Sequence, residues 1–593
     1  MLILGISCYY HNSAAALIHD GDLIAAVEEE RFSRIKQDSA FPENSIQFCL
    51  QQAGISANDL DHVVFYETPN LKFERILGSA LGTFPKSWKS FSEAMISWFD
   101  QKLWIKQRIQ EELNIDGEKI HFTEHHQSHA ASTFLTSPFD EATVITIDGV
   151  GEWATTTVGV GRTNLETKQS SLVIQKEQEF PHSIGLLYSA FTAFLGFRVN
   201  GGEYKVMGMS PYGEPNHIDK IEKIFKVADD GSFWMDSDYF SYTYSTEKTF
   251  NKKFEALFGQ PRVHETDFFT KKTHPNMQLD ASKAKDNQYY ADIAASIQRA
   301  TELAILKMIS ASYEGIPNLC MAGGVALNSK ANGRILKDTP FEHLHIQPAA
   351  GDAGGALGAA LYHYHIELGH PRKFVQEHCY WGPEYSNAEI VSAVKEKGYS
   401  YSEISNQKKL SSLIVEKISS GKVVSLFQGR AEWGPRALGN RSIIADPRRD
   451  DMKEIVNSMI KFREPFRPFA PVVLEKDAGT LFPDLANQAG ATPPRFMLVV
   501  HPWESKFGEK VPAVNHLGTG RMQTIKREWN PLYHDLVSDF GESTGIPVLM
   551  NTSFNLRGEP IVNTPANALN TFTKSNLDLL VMENIVVEKK NNS

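Results

Sequence analysis

One pattern occurs twice in the chain, and it restricts the fold more than any other feature. LILGIS, HNSAAALIHDG and DLIAAVEEERFSR read as three short apolar strands joined by turns, with Asp20-Gly21 as the two-residue hairpin signal. ENSIQFCLQQAG then reads as an amphipathic helix closed by Gly54, and HVVFYE as a further strand. Further on, ATVITIDGVGEWATTTVGVGR repeats the scheme of strand, Gly-bearing acidic turn and strand. The repetition predicts two related halves facing one another across a cleft.

Three hairpin strands followed by a helix and a strand is how an actin/hexokinase-type nucleotide-binding half begins. A long helix is expected over YYADIAASIQRATELAILKMISASYEG, with Ile293, Ile297, Ala300 and Ala304 on one face. It leads into the strand NLCMAGGVALN, with a helix starting after the glycines. Two stretches interrupt this plan. Residues 70–112 carry Phe73, Ile76, Leu77, Leu81, Phe84, Trp88, Phe91, Met95 and Trp98 at roughly helical spacing, and residues 214–285 are charged and rich in Tyr and Phe. Both read as insertions, serving either as a lid or as helices that pack their aromatic faces into the core. Near 365–385 the character changes, and KVVSLFQG, RFMLVVHP and GIPVLMNTS read as strands of a separate α+β unit. The expected domains are 1–370 and 371–593, since 593 residues exceed what one compact core holds.

Charge and cysteines narrow the function classes. A net charge of −11 with no long Lys/Arg block argues against a nucleic-acid partner. Cys8, Cys49, Cys320 and Cys379 are scattered without a Cys-x-x-Cys pair, which excludes a disulfide framework or a thiolate zinc site. The opening MLILGISCYY lacks the basic region of a signal peptide, and no apolar run reaches bilayer length. The expected location is the cytoplasm, with no membrane partner. The residues do not fix an oligomeric state, and a homodimer is the assembly allowed for.

TEHHQSHAAS places His125 and His129 four residues apart, on one face of a helix, where both can reach one metal ion. His126 then points elsewhere. A surface helix with incidental histidines shares this spacing, so the acids supply the discrimination. Asp148 ends a strand at DGVG, and Asp352 opens the Gly-rich run QPAAGDAGGALGAA. Two imidazoles and two carboxylates suit Fe(II), Mn(II) or Zn(II). Gly149 and Gly151, Gly323 and Gly324 in GGVALNSKANGR (which also holds Asn328), and Glu203 and Lys205 in GGEYKVMGMSPYG offer sites of close approach for a nucleotide.

GISCYYHNSAAAL, HHQSHAAS, DGVGEWATT, GGEYKVMGMSPYG, AGGVALN and QPAAGDAGGALGAA resemble, in order, the signature blocks of the O-carbamoyltransferase family. That family includes antibiotic-tailoring, nodulation-factor and saxitoxin-type enzymes. GRAEWGPRALGNRSIIADPR, KFREPFRPFAP and NTSFNLRGEPIV extend the resemblance through the second domain. It implies an N-terminal domain of duplicated actin/hexokinase-like (ASKHA) fold and a YrdC-like C-terminal domain. The latter would turn carbamoyl phosphate and ATP/Mg2+ into carbamoyl-adenylate. A small-molecule hydroxyl would take the carbamoyl group at the N-terminal metal site.

Carried over by motif, His125, His129, Asp148 and Asp352 become ligands of Fe2+ or another divalent metal, and His11 the base for the acceptor hydroxyl. Arg430, Lys461, Arg467, Arg521, Ser553 and Asn555 become the carbamoyl phosphate cage, with Arg436, Arg441 and Arg463 adding charge. One block departs from the family: NHLGTGRMQT, from His516 to Arg521, lacks the Asp of a His-x-Asp-Gly-[ST]-x-Arg run and is one residue shorter. The rival reading is a partner-dependent ATPase of the same fold in tRNA threonylcarbamoyl modification, against which the acidic charge counts. Carbamoyl transfer to a protein thiol would call for paired-Cys zinc modules that the sequence does not have, and intact candidate ligands argue against a scaffold.

Overall fold

A computed structural model describes residues 1–100, 102–264, 266–274, 280–461, 463–486, 488 and 491–589. They form two compact units. The first comprises Met1–Ile24, Ser39–Gln376 and Glu464–Arg467, and the second comprises Ala25–Asp38, Glu377–Arg463 and Pro468–Ser593.

Strands β1 (Leu2–Ser7), β2 (Ala14–His19), β3 (Asp22–Glu28, of which Asp22–Ile24 count with the first unit), β4 (His62–Phe65) and β5 (Ile120–Phe122) form a sheet of order β3-β2-β1-β4-β5. Strands β6 (Glu141–Ile147), β7 (Ala154–Thr163) and β8 (Ser170–Glu179) begin the second sheet. A small hairpin of β9 (Phe225–Val227) and β10 (Phe233–Met235) intervenes. Strands β11 (Asn318–Ala322) and β12 (His343–Ile346) then complete the order β12-β11-β6-β7-β8. In each sheet the first strand pairs antiparallel with the next and parallel with a later one, and that later strand has a further parallel neighbour. The same order twice is the duplicated actin/hexokinase-type architecture read from the hairpins. Asp20 and Gly21 take φ of 50° and 86°, as a two-residue turn of matching twist requires.

Each half ends in a helix that follows its last strand: His125–Phe134 after β5 and Asp352–Tyr362 after β12. The two helices lie against each other through small residues. A Cβ on Gly358 would stand 1.7 Å from the Ser128 carbonyl oxygen, and one on Gly355 2.7 Å from the Tyr66 ring. Only hydrogen at these positions permits the approach.

The long helix runs over Ala281–Ala311, with Ile293, Ile297 and Ala304 buried and Ala300 half-buried. After Gly323 comes a 3-10 turn, Gly324–Leu327, before the short helix Ser329–Asn332. The insertion at 70–112 folds into helices Pro69–Gly82, Trp88–Asp100 and Ile105–Leu113. Its aromatic face divides: Trp98 is buried, whereas Leu81, Phe84, Trp88, Ile96, Phe99 and Trp104 are more than half exposed. In the insertion at 214–285, Phe225, Phe233, Phe240, Phe254 and Phe258 are core residues, and positions 265 and 275–279 lie outside the described residues.

The second unit is built on strands β13 (Ser402–Glu403), β14 (Val424–Phe427), β15 (Arg441–Ala445), β16 (Ala470–Leu474), β19 (Gln523–Ile525), β20 (Val548–Ser553), β21 (Leu579–Met582) and β22 (Ile585–Glu588). They form one mixed sheet of order β13-β22-β21-β14-β15-β20-β16-β19, and β17 (His501–Pro502) pairs with β18 (Thr519–Gly520). Alternation along the central strand feeds two cores: Val423 and Phe427 join one, Val424 and Leu426 the other. Helices Asn387–Glu396 and Pro565–Lys574 cover the first face, and Gln407–Ser419 and Pro531–Thr544 the second.

RFMLVVHP is not the strand its apolar run suggests. Pro493–Phe496 is a 3-10 turn, and Met497 takes φ of 57°. The run is buried either way, so apolar content alone cannot tell the two apart. Among the described residues no helix is long and apolar enough to cross a membrane.

Ala25–Asp38 gives the second unit a buried acid. Glu28 accepts a hydrogen bond from the Gly434 N–H and lies 3.5 Å from Arg31. Burial pushes its carboxyl up to about 7, and Arg31 only partly offsets this. The folded chain therefore holds a proton that the unfolded chain releases above the usual carboxylate range. Stability should fall as pH rises from about 4.5 to about 7. Glu28→Gln, which keeps an acceptor for Gly434, should flatten that slope by on the order of 2 kcal/mol in urea unfolding curves across this window. An unchanged slope would show that Glu28 ionises normally.

Candidate metal and nucleotide site

The duplicated topology brings the predicted ligands together. His125 is the first residue of the helix after β5 and Asp352 the first of the helix after β12, so equivalent helix starts from the two halves meet. Asp148 follows β6. His125 Nε2 lies 3.0 Å and His129 Nε2 3.5 Å from Asp148 Oδ2, and His129 Nε2 is 3.8 Å from Asp352 Oδ1. One ligand atom from each of the four falls within 4.8 Å of all the others, and all four side chains are buried.

This donor set fits a divalent metal. Among the described residues, His125 Nδ1, both ring nitrogens of His129 and both oxygens of Asp352 are buried without a hydrogen-bond partner, a condition that coordination or an ordered polar ligand would relieve. Burial opposes charge here, but ion-pair contacts outweigh it. The His125 hydrogen bond and the nearby His129 ring hold Asp148 well below the usual carboxylate range, while Asp148 and Asp352 lift His129 to about 9. Burial would likewise raise Asp352, yet His11 and His129 keep it lowered. Both acids thus carry full charge.

His126 does point elsewhere, with Nδ1 2.6 Å from Thr146 Oγ1, and burial lowers it to about 3. Glu152 was not foreseen. It accepts the His125 N–H at 3.0 and 3.1 Å and the Thr68 N–H at 2.7 Å, fixing the start of the histidine helix. Its signal was in plain view in DGVGEW, one residue beyond the second glycine.

His11 lies in the β1–β2 turn. Its Nδ1 is 3.7 Å from Asp352 Oδ2 and 2.8 Å from Asn12 Oδ1, and the ring is partly exposed. Gly149 and Gly151 lie in the β6–β7 turn beside Asp148. Gly323, with φ of 92°, and Gly324, whose N–H donates to Asp148 Oδ1 at 3.0 Å, come from the other side. Glu203, Lys205 and Asn328 sit differently. Glu203 accepts from Ser189, Asn200 and Gly202; Lys205 pairs with Glu464 at 2.8 Å; and Asn328 exchanges hydrogen bonds with Gln298.

In the second unit Lys461, Ser553 and Asn555 converge. Lys461 is buried, and its Nζ donates to the Ser553 carbonyl at 2.5 Å, the Asn555 carbonyl at 3.0 Å and Asn555 Oδ1 at 2.7 Å. The guanidiniums have partners of their own. Arg430 donates to the Gly382 and Trp381 carbonyls. Arg441, fully buried, donates to the carbonyls of Gln428, Asn440, Pro383 and Gly429 and stacks 3.8 Å from the Phe427 ring centroid. Arg467 belongs to the first unit, 4.7 Å from the Tyr204 ring centroid.

Arg521 lies between β18 and β19, partly exposed. The shortened block before it closes as a tight turn. Leu517 and Gly518 take φ of 51° and 86°, and His516 and Thr519 exchange backbone hydrogen bonds across them.

Two family models match the sequence: one described as carbamoyltransferase N-terminus over residues 2–361, and one as carbamoyltransferase C-terminus over 415–589. An uncharacterized protein of Synechocystis sp. is 44% identical, covering 99% of this chain and 96% of its own. Nodulation protein NolNO of Sinorhizobium fredii is 37% identical over 98% of this chain and 79% of its own. Among solved structures, (R)-2-hydroxyglutaryl-CoA dehydratase component A of Acidaminococcus fermentans aligns with 61% of this chain and 98% of that one, at 15% identity and a TM-score of 0.31.

Proposed function

Because the chain belongs to the carbamoyltransferase family, we propose that it is an O-carbamoyltransferase working through carbamoyl-adenylate, with a small hydroxyl-bearing molecule as acceptor. The observation that carries this reading is the meeting of His125, His129, Asp148 and Asp352 at two helix starts, with His11 beside Asp352. Two helix N-termini favour an anion, such as the adenylate phosphate, between them.

Carbamoyl phosphate, ATP and water give carbamoyl-adenylate, with phosphate and pyrophosphate leaving. We assign this step to the YrdC-like C-terminal domain, taken as 371–593, around Lys461, Ser553 and Asn555. Transfer is assigned to the N-terminal domain, 1–370. There the acceptor oxygen bonds to the carbamoyl carbon, AMP leaves, and His11 takes the hydroxyl proton. Fe2+ or another divalent metal held by the four side chains would supply positive charge beside the reacting groups. Gly149, Gly151, Gly323 and Gly324 leave room for the nucleotide, and Glu203, Lys205 and Asn328 fix the loops around it. The exposed apolar residues of the 70–112 insertion offer a surface for the acceptor.

Purified protein given carbamoyl phosphate and ATP/Mg2+ should release pyrophosphate and form carbamoyl-adenylate with no tRNA or protein present. Silence in that assay, relieved only by a partner, would favour the tRNA-modification ATPase instead. His11→Asn should keep adenylate formation within about twofold and slow transfer by about 10²–10⁴-fold. Transfer at the parent rate would remove His11 from the reaction.

A further inference from the structure

Away from this site, a second group of histidines converges in the first unit. β4 and β5 run parallel with Val64 opposite His121. His62 is two residues before Val64 and so shares its face, which makes His62 and His121 diagonal neighbours on one side of the sheet. His363, the residue after helix Asp352–Tyr362, comes down on the same face. The ring centroids are 4.9 Å (His62–His121), 4.6 Å (His62–His363) and 4.2 Å (His121–His363) apart. One nitrogen from each falls within 4.8 Å of the other two.

Three details make this more than a stack of rings. His363 is 97% buried by area (3% exposed), and its Nε2 has no hydrogen-bond partner among the described residues. Its Nδ1 lies 2.5 Å from Glu367 Oε2, which holds the proton on Nδ1 and leaves the Nε2 lone pair free. A π-helical turn over His363–Glu367 presents this pair. His62 Nδ1 and His121 Nε2 stand 2.9 Å apart, and both rings are partly exposed, so an ion can enter from solvent.

We propose that His62, His121 and His363 form a second metal site, taking Zn2+ or another imidazole-preferring divalent cation with solvent as the remaining ligand. Three imidazoles without a carboxylate in the inner set differ in kind from the two-His, two-Asp site. Glu367 is the outer partner that orients His363, as carboxylates do behind metal-bound histidines. The ion ties β4 and β5 to the end of the helix whose first residue is Asp352. Ten residues of helical rise separate Asp352 from Tyr362, about 15 Å. The site therefore steadies the far end of the element that carries Asp352, and it stands whether or not the carbamoyl-transfer reading does.

The test uses the full chain with His129→Ala, which removes one ligand of the first site. Stripped of metal and titrated with Zn2+ against a chromophoric chelator, this variant should still bind one equivalent, and Co2+ should give visible absorption. Adding His363→Ala should abolish that equivalent, and adding Glu367→Gln should weaken it about 10–100-fold. His62→Asn, altering a partly exposed ring, gives a second variant in case His363→Ala fails to fold. No Zn2+ bound to the His129→Ala chain would overturn the proposal, as would an equivalent that survives both His363→Ala and His62→Asn.

Discussion

Gly358→Ala should unfold the chain at distinctly lower denaturant and strip the first metal site, although it adds a single methyl group far from any surface. The new Cβ would stand 1.7 Å from the Ser128 carbonyl oxygen and 3.0 Å from Ser132 Cβ, so the two helices must separate. Overpacking of this kind costs about 1–3 kcal/mol, and here the obstacle is backbone rather than a yielding side chain. Alanine's better helix propensity returns at most about 1 kcal/mol. Separation also draws Asp352 away from His129, so metal affinity should drop by more than about tenfold. Gly351→Ala is the control. It adds the same methyl next to Asp352, but its Cβ would meet nothing within 4 Å, so stability should stay within about 0.5 kcal/mol. Equal midpoints for the two variants would contradict the close helix contact.

Lys461→Met should abolish adenylate formation while sparing transfer from carbamoyl-adenylate supplied ready-made. The buried ammonium now donates to the Ser553 carbonyl, the Asn555 carbonyl and Asn555 Oδ1. A thioether of similar length withdraws this donor from all three oxygens; the Ser553 carbonyl keeps the Asn555 N–H and Asn555 Oδ1 keeps the Ser553 hydroxyl, so the cost in stability is about 1–3 kcal/mol. Ser553 and Asn555 would lose the position they need for a phosphate or a carbamoyl amide. Pyrophosphate release should fall at least about 100-fold. A variant releasing pyrophosphate within about threefold of the parent would leave Lys461 a purely structural role.

Local patterns in the sequence were enough to foretell some of this. Asp20-Gly21 marks its hairpin because two successive left-handed residues suit few other pairs, and the four-residue spacing of His125 and His129 needs only helical geometry. What no local pattern carries is contact across the chain. Gly355 and Gly358 look like helix weakeners until Tyr66 and Ser128 are seen against them. His62 and His121 stand 59 positions apart, and His363 much further along. The arginines carry the same lesson. Clustering in sequence suggests a shared anion, but it does not show that the Nη atoms of Arg441 donate to four backbone carbonyls. RFMLVV misled because burial, not strand geometry, keeps it apolar.

The membership of Ala25–Asp38 in the second unit bears on how the protein is made. This segment leaves the ribosome early, but the strands it belongs with are completed only when β22 has been translated. At roughly 5–20 residues per second, the interval is roughly half a minute to two minutes. Until Gly434 is made, Glu28 and Arg31 lack the backbone group with which both hydrogen-bond in the finished protein. A gene split near residue 377 would also give a C-terminal fragment lacking its early strand segment, so recovery of that unit would require the N-terminal fragment in trans.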